Sequence, residues 1–547
     1  MYQQAIVPAT DTYKELATIL ETLATSKHVS AVALNAAGTG YTVGDILTIT
    51  HASAASVGGV TLSCTLEVLT ITGGGGTGPI GTVRINNGGA FAERVASAVV
   101  GAAAGSGYAV GDILEVQDGV GSSNSKAKFE VLTLSGSAVA TVGLYEAGGA
   151  YVTTPTTNEA ATLGVGPAAF AGDDVCTLDL TMQSIIGTTA IAATGGTGSS
   201  ATFDLTLTDT GWQMQWSKNE HTADGVTDQK EVVLLGTAVS GDAPYIGLRT
   251  ARHDNGGQKR YSVSLFGMTA FNPALALNLQ PNIGPLAWTE GNGSGSHLLI
   301  AEEVAENNEF GFSLTPRRMC GFVRGNIATE ADSYHTFYIG LLNGFGPVTT
   351  TPYPMAICGS SNQANRRTSD FASTGLSEAF QSPSGGGPLY FLQKSDLAWV
   401  TVRNAITPTN EQSHYLVWPR GVIGEASGGE NLLVEDDNYK MLNDGTIGSL
   451  VRANVAGKIY PTPGTTNIYT LLPLTIISSG GSGTNSTDTT IVGEMDGCFF
   501  TGGVDDTGAV HTPEDILEQG TDRYILIPNS TESLANRPYQ FMAFRQD

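Results

Sequence analysis

The chain has 547 residues, 41% of them hydrophobic, which is enough for about three or four domains with cores of their own and excludes a disordered chain. Its 70 glycines and 14% charged residues depart in opposite directions from the usual values of roughly 7% and roughly 25%, so turns and uncharged polar surfaces dominate. With 26 basic against 51 acidic residues, the net charge of −25 excludes a protein that grips nucleic acid through its phosphates. An acidic surface suits solubility at high copy number, cation binding, or a path that DNA slips past without sticking.

In chain order, the start Met1-Tyr-Gln-Gln-Ala-Ile-Val-Pro8 carries no basic region followed by an apolar run, and no stretch of 18 apolar residues occurs. The expectation is a chain made in a cytoplasm, without a signal peptide or a membrane span. Thr12-Tyr-Lys-Glu15 fits a capping box, and Leu16, Ile19, Leu20 and Leu23 follow at helical spacing, which predicts an amphipathic helix over about 12–26. Such a helix packs on the body of the protein; the alternative is a seam of Tyr13, Leu16, Leu20 and Leu23 that meets copies of itself.

A stretch then occurs twice: Gly38-Thr-Gly40-Tyr41-Thr-Val-Gly44-Asp45-Ile-Leu-Thr-Ile49 and Gly105-Ser-Gly107-Tyr108-Ala-Val-Gly111-Asp112-Ile-Leu-Glu-Val116, 67 residues apart (105 minus 38). Each copy reads as a glycine-rich turn, a tyrosine anchor, a Gly-Asp turn and a strand, a β-hairpin unit. Units of this kind bury little core alone and serve as stacked or projecting modules. The second strands, Leu66–Thr70 and Phe129–Thr133, and the closing Asn87-Gly-Gly-Ala-Phe91 and Ala147-Gly-Gly-Ala-Tyr151, follow at offsets shrinking from 67 to 63 to 60, which places the deletions in turns. A third strand, Ala201–Thr208, echoes Ala127-Lys-Phe129 and suggests a partial third unit.

At 211 the composition changes: all five tryptophans lie beyond it, and aromatic residues number 10 in the first 210 residues against 31 in the other 337. Many short β-like segments with turn residues between them predict a large β-sandwich-like domain there. Thr512-Pro513-Glu-Asp reads as an N-cap with Pro at the first helical position, so a small helix is expected. The domain divisions are 1–28, 29–94 (repeat 1), 95–210 (repeat 2 with the partial third unit) and 211–547.

The chemistry sought is mostly absent. Cys64, Cys176, Cys320, Cys358 and Cys498 are odd in number and scattered, indicating neither a disulfide framework nor a zinc site. Gly73 to Gly76 superficially suggests a phosphate loop, but no helix pattern and no Gly-Lys-Ser/Thr follow, so a hairpin loop is expected. Asp45 and Asp112 each cap their own turn by accepting backbone N–H bonds, with cation binding as the alternative. The run Glu435-Asp436-Asp437-Asn438 with Asp444, and the pair Asp505-Asp506, read as solvated acidic loops rather than calcium sites. Gly291-Asn-Gly-Ser-Gly295 and Gly480-Gly-Ser-Gly483 lack the spacing of a nucleophile elbow. Trp288, Trp399 and Trp418 are candidates for a carbohydrate-binding face, against the commoner role of packing.

These residues resemble a family of tailed-bacteriophage virion structural proteins. The Gly-x-Gly-Tyr-x-x-Gly-Asp repeat carries part of the likeness. The rest runs through Tyr245–Thr250, Arg317-Arg318-Met-Cys-Gly-Phe-Val323, Tyr338–Leu342, Pro352-Tyr-Pro354, Gly359-Ser-Ser361, Gly493-Glu-Met-Asp-Gly-Cys-Phe-Phe500 and Arg523–Asn529. The resemblance implies an oligomeric part of the particle with no catalytic residues to carry over. It also implies a short N-terminal helix leading into a Gly-Trp strand; here Gly211-Trp212 comes 185 residues after the helix (211 minus 26). The repeat region is therefore expected to be an insertion, and the helix to pack against the domain that begins at Gly211.

The combined expectation is a mainly β, multidomain chain with repeated β-hairpin modules inserted after a short N-terminal helix and followed by a large β-sandwich-like domain. Its expected work is structural, in a tail, neck or baseplate, with itself and other virion proteins as partners, no cofactor and no metal. Gly38, Gly40, Tyr41, Gly44, Asp45, Gly105, Gly107, Tyr108, Gly111 and Asp112 are the structural turn residues. Alternatives are a host-surface glycan-binding fibre module, a capsid-decorating or head-fibre protein, and a glycan depolymerase, which would need two carboxylates in a cleft.

Overall fold

The computed structural model describes residues 1–7, 12–49, 54, 56–57, 60–73, 76–91, 94–116, 127–146, 159–163, 175–183, 188–219, 230–237, 243–255, 258–275, 277–284, 296–302, 308–327, 330–343, 355–358, 360–361, 389–392, 399–401, 414–417, 471–479, 489–502, 512–528 and 540–546. Among these, regular structure is β-strand except for the helix Thr12–Thr25 and one 3-10 turn, Leu277–Leu279. The chain is mainly β and divides into two compact units. One comprises Met1, Thr18–Lys218 and Val232–Leu234; the other comprises Tyr2–Ala17, Asn219–Glu231 and Leu235–Asp547.

The helix forms where the apolar spacing puts it, and Leu16, Ile19, Leu20 and Leu23 are all buried. Its end is fixed by side chain and backbone together: Thr25 Oγ1 donates to the Glu21 carbonyl at 2.8 Å, and the Thr210 hydroxyl donates to the Ala24 carbonyl. That tie lands on the residue before Gly211-Trp212, but the first unit runs on to Lys218, so the compositional change at 211 precedes the structural boundary.

The first unit holds two six-stranded sheets with cores of their own. One is made of Lys27–Thr39, Ile46–Ile49, Cys64–Ile71, Ile80–Gly88, Ile191–Thr194 and Ser199–Asp209. The other is made of Arg94–Val100, Ile113–Val116, Lys128–Ser135, Ala138–Glu146, Glu159–Leu163 and Thr177–Gln183. Numbering the strands of each in chain order, both sheets run first-sixth-fifth-second-third-fourth, with antiparallel neighbours throughout. The first and fourth strands also lie side by side in both, giving barrel-like closure. In the first barrel, Lys27 and Phe91 exchange two backbone bonds of 2.8 Å at this seam.

The register repeats too. Ile46 faces Glu67 and Leu47 faces Leu66, as Ile113 faces Glu130 and Leu114 faces Phe129. Between the third and fourth strands the pairing jumps from Val68 to Thr70 and from Val131 to Thr133, so Leu69 and Leu132 are equivalent β-bulge residues. Alternate residues then fill the two interiors: Cys64, Leu66, Val68 and Phe203 in one, Ala127, Phe129, Val131 and Leu178 in the other.

Two expectations are corrected here. Each repeat is a closed six-stranded barrel with a core, rather than a hairpin. The strand Ser199–Asp209 is the sixth strand of the first barrel, paired with Lys27–Thr39, rather than part of a third unit. The counterpart of Ala127-Lys-Phe129 is Cys64-Thr-Leu66, because both precede the same bulge. The second barrel is thus nested between the fourth and fifth strands of the first, and the 29–94 and 95–210 divisions cut across the first barrel.

The second unit is a β-sandwich. One sheet runs Tyr2–Val7, Asn308–Thr315, Arg318–Ile327, Glu330–Leu341, Met355–Cys358, Leu389–Leu392, Trp399–Thr401. A second runs His414–Val417, Leu472–Ser479, Thr489–Gly502, Gln540–Arg545, Asp522–Pro528, Ile516–Gln519. Tyr2, Phe322, Tyr338 and Cys358 from the first meet Leu474, Cys498, Met542 and Phe544 from the second in one core. Gly267, on the strand Gln258–Met268 of a further sheet, sits against Met355, Trp399 and Ile357. All five cysteines are free and buried.

Between the sandwich sheets lies a buried cation. The fully buried Arg318 donates from Nη1 to the Ser313 carbonyl at 2.9 Å and to Ser313 Oγ at 2.7 Å, and its Nε lies 3.3 Å from Asp496 Oδ2. Asn343 Nδ2 donates to the other Asp496 oxygen at 3.1 Å. Gly497, at φ +71°, leaves the room that a β-carbon would take from the guanidinium. The stretches Arg317–Val323 and Gly493–Phe500 therefore meet at one ion pair. Arg318→Ala should lower the unfolding free energy by about 3 kcal/mol, because it takes the cation from Asp496 and the donor from Ser313 and leaves a cavity between the sheets. Asp496→Asn should cost less, since that side chain is 33% exposed. Denaturant titration followed by tryptophan fluorescence measures both.

Candidate functional site

Tyr41 and Tyr108 are buried in their respective barrels. Their hydroxyls accept equivalent bonds, from Ala201 N–H in the first barrel's sixth strand at 3.3 Å and from Cys176 N–H, just before the second barrel's sixth strand, at 3.4 Å. The glycines before them match in backbone angle: Gly38 and Gly105 lie at φ +60° and +61°, Gly40 and Gly107 at +81° and +83°. Gly38 admits no side chain, since a β-carbon would meet the Ser199 carbonyl and the Tyr41 ring.

The Gly-Asp turn comes next. Gly44 and Gly111, at φ +90° and +93°, face open space and are required by the backbone alone. Gly44 N–H bonds to the Val68 carbonyl at 2.8 Å and Val68 N–H returns to the Asp45 carbonyl at 2.9 Å; Gly111, Val131 and Asp112 repeat this at 2.9 and 2.8 Å. Asp45 Oδ2 accepts the N–H groups of Thr42 and Thr197, both at 2.9 Å, and the Thr197 hydroxyl at 2.7 Å, while Oδ1 accepts the Thr42 hydroxyl at 2.9 Å. Desolvation opposes the charged form, but these donors outweigh it and hold the carboxyl down to about 2. Asp112 accepts Ala109 N–H at 2.8 Å. The aspartates cap their turns, and the Asp45 oxygens that a cation would use already hold four donors. No group of three or more metal-ligating side chains occurs among the described residues.

A third copy of this turn lies at 512–517, where a helix was expected. Thr512 N–H donates to Asp515 Oδ2 and its hydroxyl to Oδ1, both at 2.6 Å, and the strand Ile516–Gln519 follows. Glu514 N–H bonds to the Leu526 carbonyl at 2.7 Å and Leu526 N–H to the Asp515 carbonyl at 2.9 Å, as around Gly44. The signal available in the sequence was Asp515-Ile-Leu517, which matches Asp45-Ile-Leu47 and Asp112-Ile-Leu114. The glycine signal was lost because Glu514 occupies that position, at φ +71°.

A non-glycine residue there costs about 1 kcal/mol or more, and the Glu514 side chain enters a polar cluster. Its Oε1 accepts from Tyr334 Oη at 2.7 Å and Arg324 Nη1 at 3.3 Å, and its Oε2 accepts from Gln4 Nε2 at 3.1 Å. The same Gln4 nitrogen donates to Glu309 Oε1 at 2.8 Å, and Arg324 Nη1 reaches Glu309 Oε2 at 3.4 Å. Burial pushes the Glu514 carboxyl up, the Tyr334 bond pulls it down, and the Glu309 charge raises it again. Glu309, Arg324 and Tyr334 face one another on three neighbouring strands, and nothing in composition or spacing pointed to the distant Gln4 and Glu514 joining them.

Gly73 and Gly76 lie in the connection between two paired strands with no helix after them. The Trp399 indole N–H donates to the Asn282 carbonyl at 2.9 Å. Trp288, Trp418, the run 435–438, Asp444, Asp505-Asp506 and the serines of 291–295 and 480–483 lie outside the described residues. No helix among the described residues is long and apolar enough to cross a membrane. No protein-family model matches the chain, and no curated protein matches its sequence.

Asp45→Ala should destabilise by about 1–2 kcal/mol, since it leaves several donors unpaired, and Asp112→Ala by less. Because the folded Asp45 carboxyl is depressed to about 2, its contribution is present above the ordinary carboxylate range and lost as pH falls through about 2. Urea titrations of both variants at neutral pH, with an acid titration of the wild type, check the order and the sign.

Proposed function

We propose that this chain is a structural component of a tailed-phage virion, a non-enzymatic part that oligomerises on the tail, neck or baseplate and contacts neighbouring virion proteins. The observation that carries the reading is the nested pair of barrels of identical strand order, each pinned by a buried tyrosine and a capped Gly-Asp turn. Duplicated, self-contained β-modules spread contact surface over an extended part, and closed sheets leave few unpaired edges to aggregate.

The outward residues support an assembly role. Val43 and Val110 are each 62% exposed at the two turns, and the bulge residues Leu69 and Leu132 are 37% and 48% exposed. Each leucine follows the residue whose carbonyl binds the turn glycine, so valine and leucine emerge at the same end of each barrel. Uncharged, apolar positions suit contacts between copies of a chain whose net charge of −25 would otherwise hold them apart. Localisation in the virion, after synthesis in the host cytoplasm, follows from the same reading.

Antibodies raised against residues 94–183 should label purified particles at a fixed place on the tail, neck or baseplate. Sedimentation of the isolated chain should give a discrete oligomer. Absence from purified particles, or a chain that stays monomeric at micromolar concentration and turns over a glycan, would defeat the proposal.

A further inference from the structure

The sandwich contains two glutamates placed on one nitrogen. Gln4, on the edge strand Tyr2–Val7, is oriented by Tyr2, whose hydroxyl donates to Gln4 Oε1 at 2.9 Å. Burial keeps that phenol protonated, so it remains a donor. With Oε1 occupied, Nε2 faces the carboxylates and donates to Glu309 and Glu514 at once, at 2.8 and 3.1 Å. On the other side Arg324 Nη1 also spans the pair, at 3.4 and 3.3 Å, with its guanidinium carbon 5.5 Å from the Tyr334 ring centre. Among the described residues, the groups bonded to the pair are the Arg324 cation, the Gln4 amide and the Tyr334 hydroxyl, with the Arg523 guanidinium acting on the neighbouring Tyr2 phenol. Two ionised carboxylates held there carry one more negative charge than Arg324 neutralises.

The backbone says that this arrangement is selected by its side chain. In the two sister turns the position of Glu514 is glycine, free of steric cost. Here a glutamate sits at positive φ and its carboxyl reaches the other sheet. Strain of this kind persists where the surrounding contacts over-determine it.

We propose that Glu514, held beside Glu309 on the Gln4 amide, takes up a proton and makes the pair a pH-sensitive clasp, fastening the edge strand Tyr2–Val7 and the 512–517 turn to the sandwich. A proton taken from solvent by Glu514 lets its O–H donate to Glu309, replacing like-charge repulsion with a hydrogen bond while Gln4, Arg324 and Tyr334 keep their bonds. Its loss leaves two anions on Gln4. An acid whose folded pKa is raised binds its proton more tightly in the folded state. The clasp therefore tightens as pH falls through the raised value and loosens as pH rises past it, the opposite sense to Asp45.

The test is amide hydrogen exchange of the full chain by mass spectrometry, from about pH 5 to about pH 8, corrected for intrinsic exchange. Residues 2–7 are followed, with 46–49 of the first barrel as reference. Wild-type protection of 2–7 should fall by about tenfold across the range while the reference stays level. E514Q, a permanent neutral donor, should remove the pH dependence and keep protection at the upper limit close to its acid value. E309Q should do the same by the reciprocal arrangement, and serves if E514Q does not fold. Constant protection of 2–7 in the wild type, or an unchanged pH profile in a folded glutamine variant, would overturn the clasp.

Discussion

An aspartate carboxylate that closes a turn onto the N–H three residues upstream sets where strands begin in both units. The turn forces a positive φ at the residue before the aspartate, and that residue's N–H then bonds to a neighbouring strand. One local device thereby fixes two non-local things, the start of a strand and its register against the next. In each barrel the tyrosine three residues upstream of the turn glycine reaches the N-terminal end of the sixth strand, so one short segment also ties that strand to the interior.

Why barrels and not hairpins follows from burial. A lone two-stranded hairpin is marginal in water, and the signature segment with its partner strand offers only one apolar face. The sixth strands supply Phe203 and Leu205 in one case and Leu178 and Leu180 in the other, completing an interior that needs no disulfide. Nesting is compatible with this because the insertion enters a connection between strands, where chain length costs little loop entropy.

The residues also explain what could be read in advance. The turn glycines and aspartates were legible because each is demanded locally, by φ or by a cap, and such demands leave the same letters in both copies; the tyrosines recur at a fixed spacing from them although their bonds are long-range. The helix Thr12–Thr25 was legible from its apolar spacing. The strand at Ala201–Thr208 was legible from its alternation, but its place as the sixth strand was not: Ala201, Phe203 and Leu205 share with Cys176, Leu178 and Leu180 only an alternation of inward side chains, which many apolar sequences satisfy. The third turn was misread because Thr-Pro-Glu-Asp matches a helix start as well as it matches Thr-Val-Gly-Asp. What decided the outcome was the pairing of Ile516–Gln519 with Asp522–Pro528, a long-range fact. The cluster at Glu514 draws on five separated segments and had no local signature at all.

The two departures from local rules in the sandwich have a common logic. Burying Arg318 and straining Glu514 each cost free energy that an apolar residue and a glycine would not. Both side chains cross between the sheets, and in both places hydrogen bonds impose directions that apolar packing does not. A sandwich core of phenylalanine, tyrosine, methionine and leucine tolerates sliding of one sheet over the other, since volume and polarity change little with register. An arginine that must meet Ser313 and Asp496, and a glutamate that must meet Gln4, Arg324 and Tyr334, allow only one offset. Polar groups at these two points therefore specify which of many similar packings the sheets adopt.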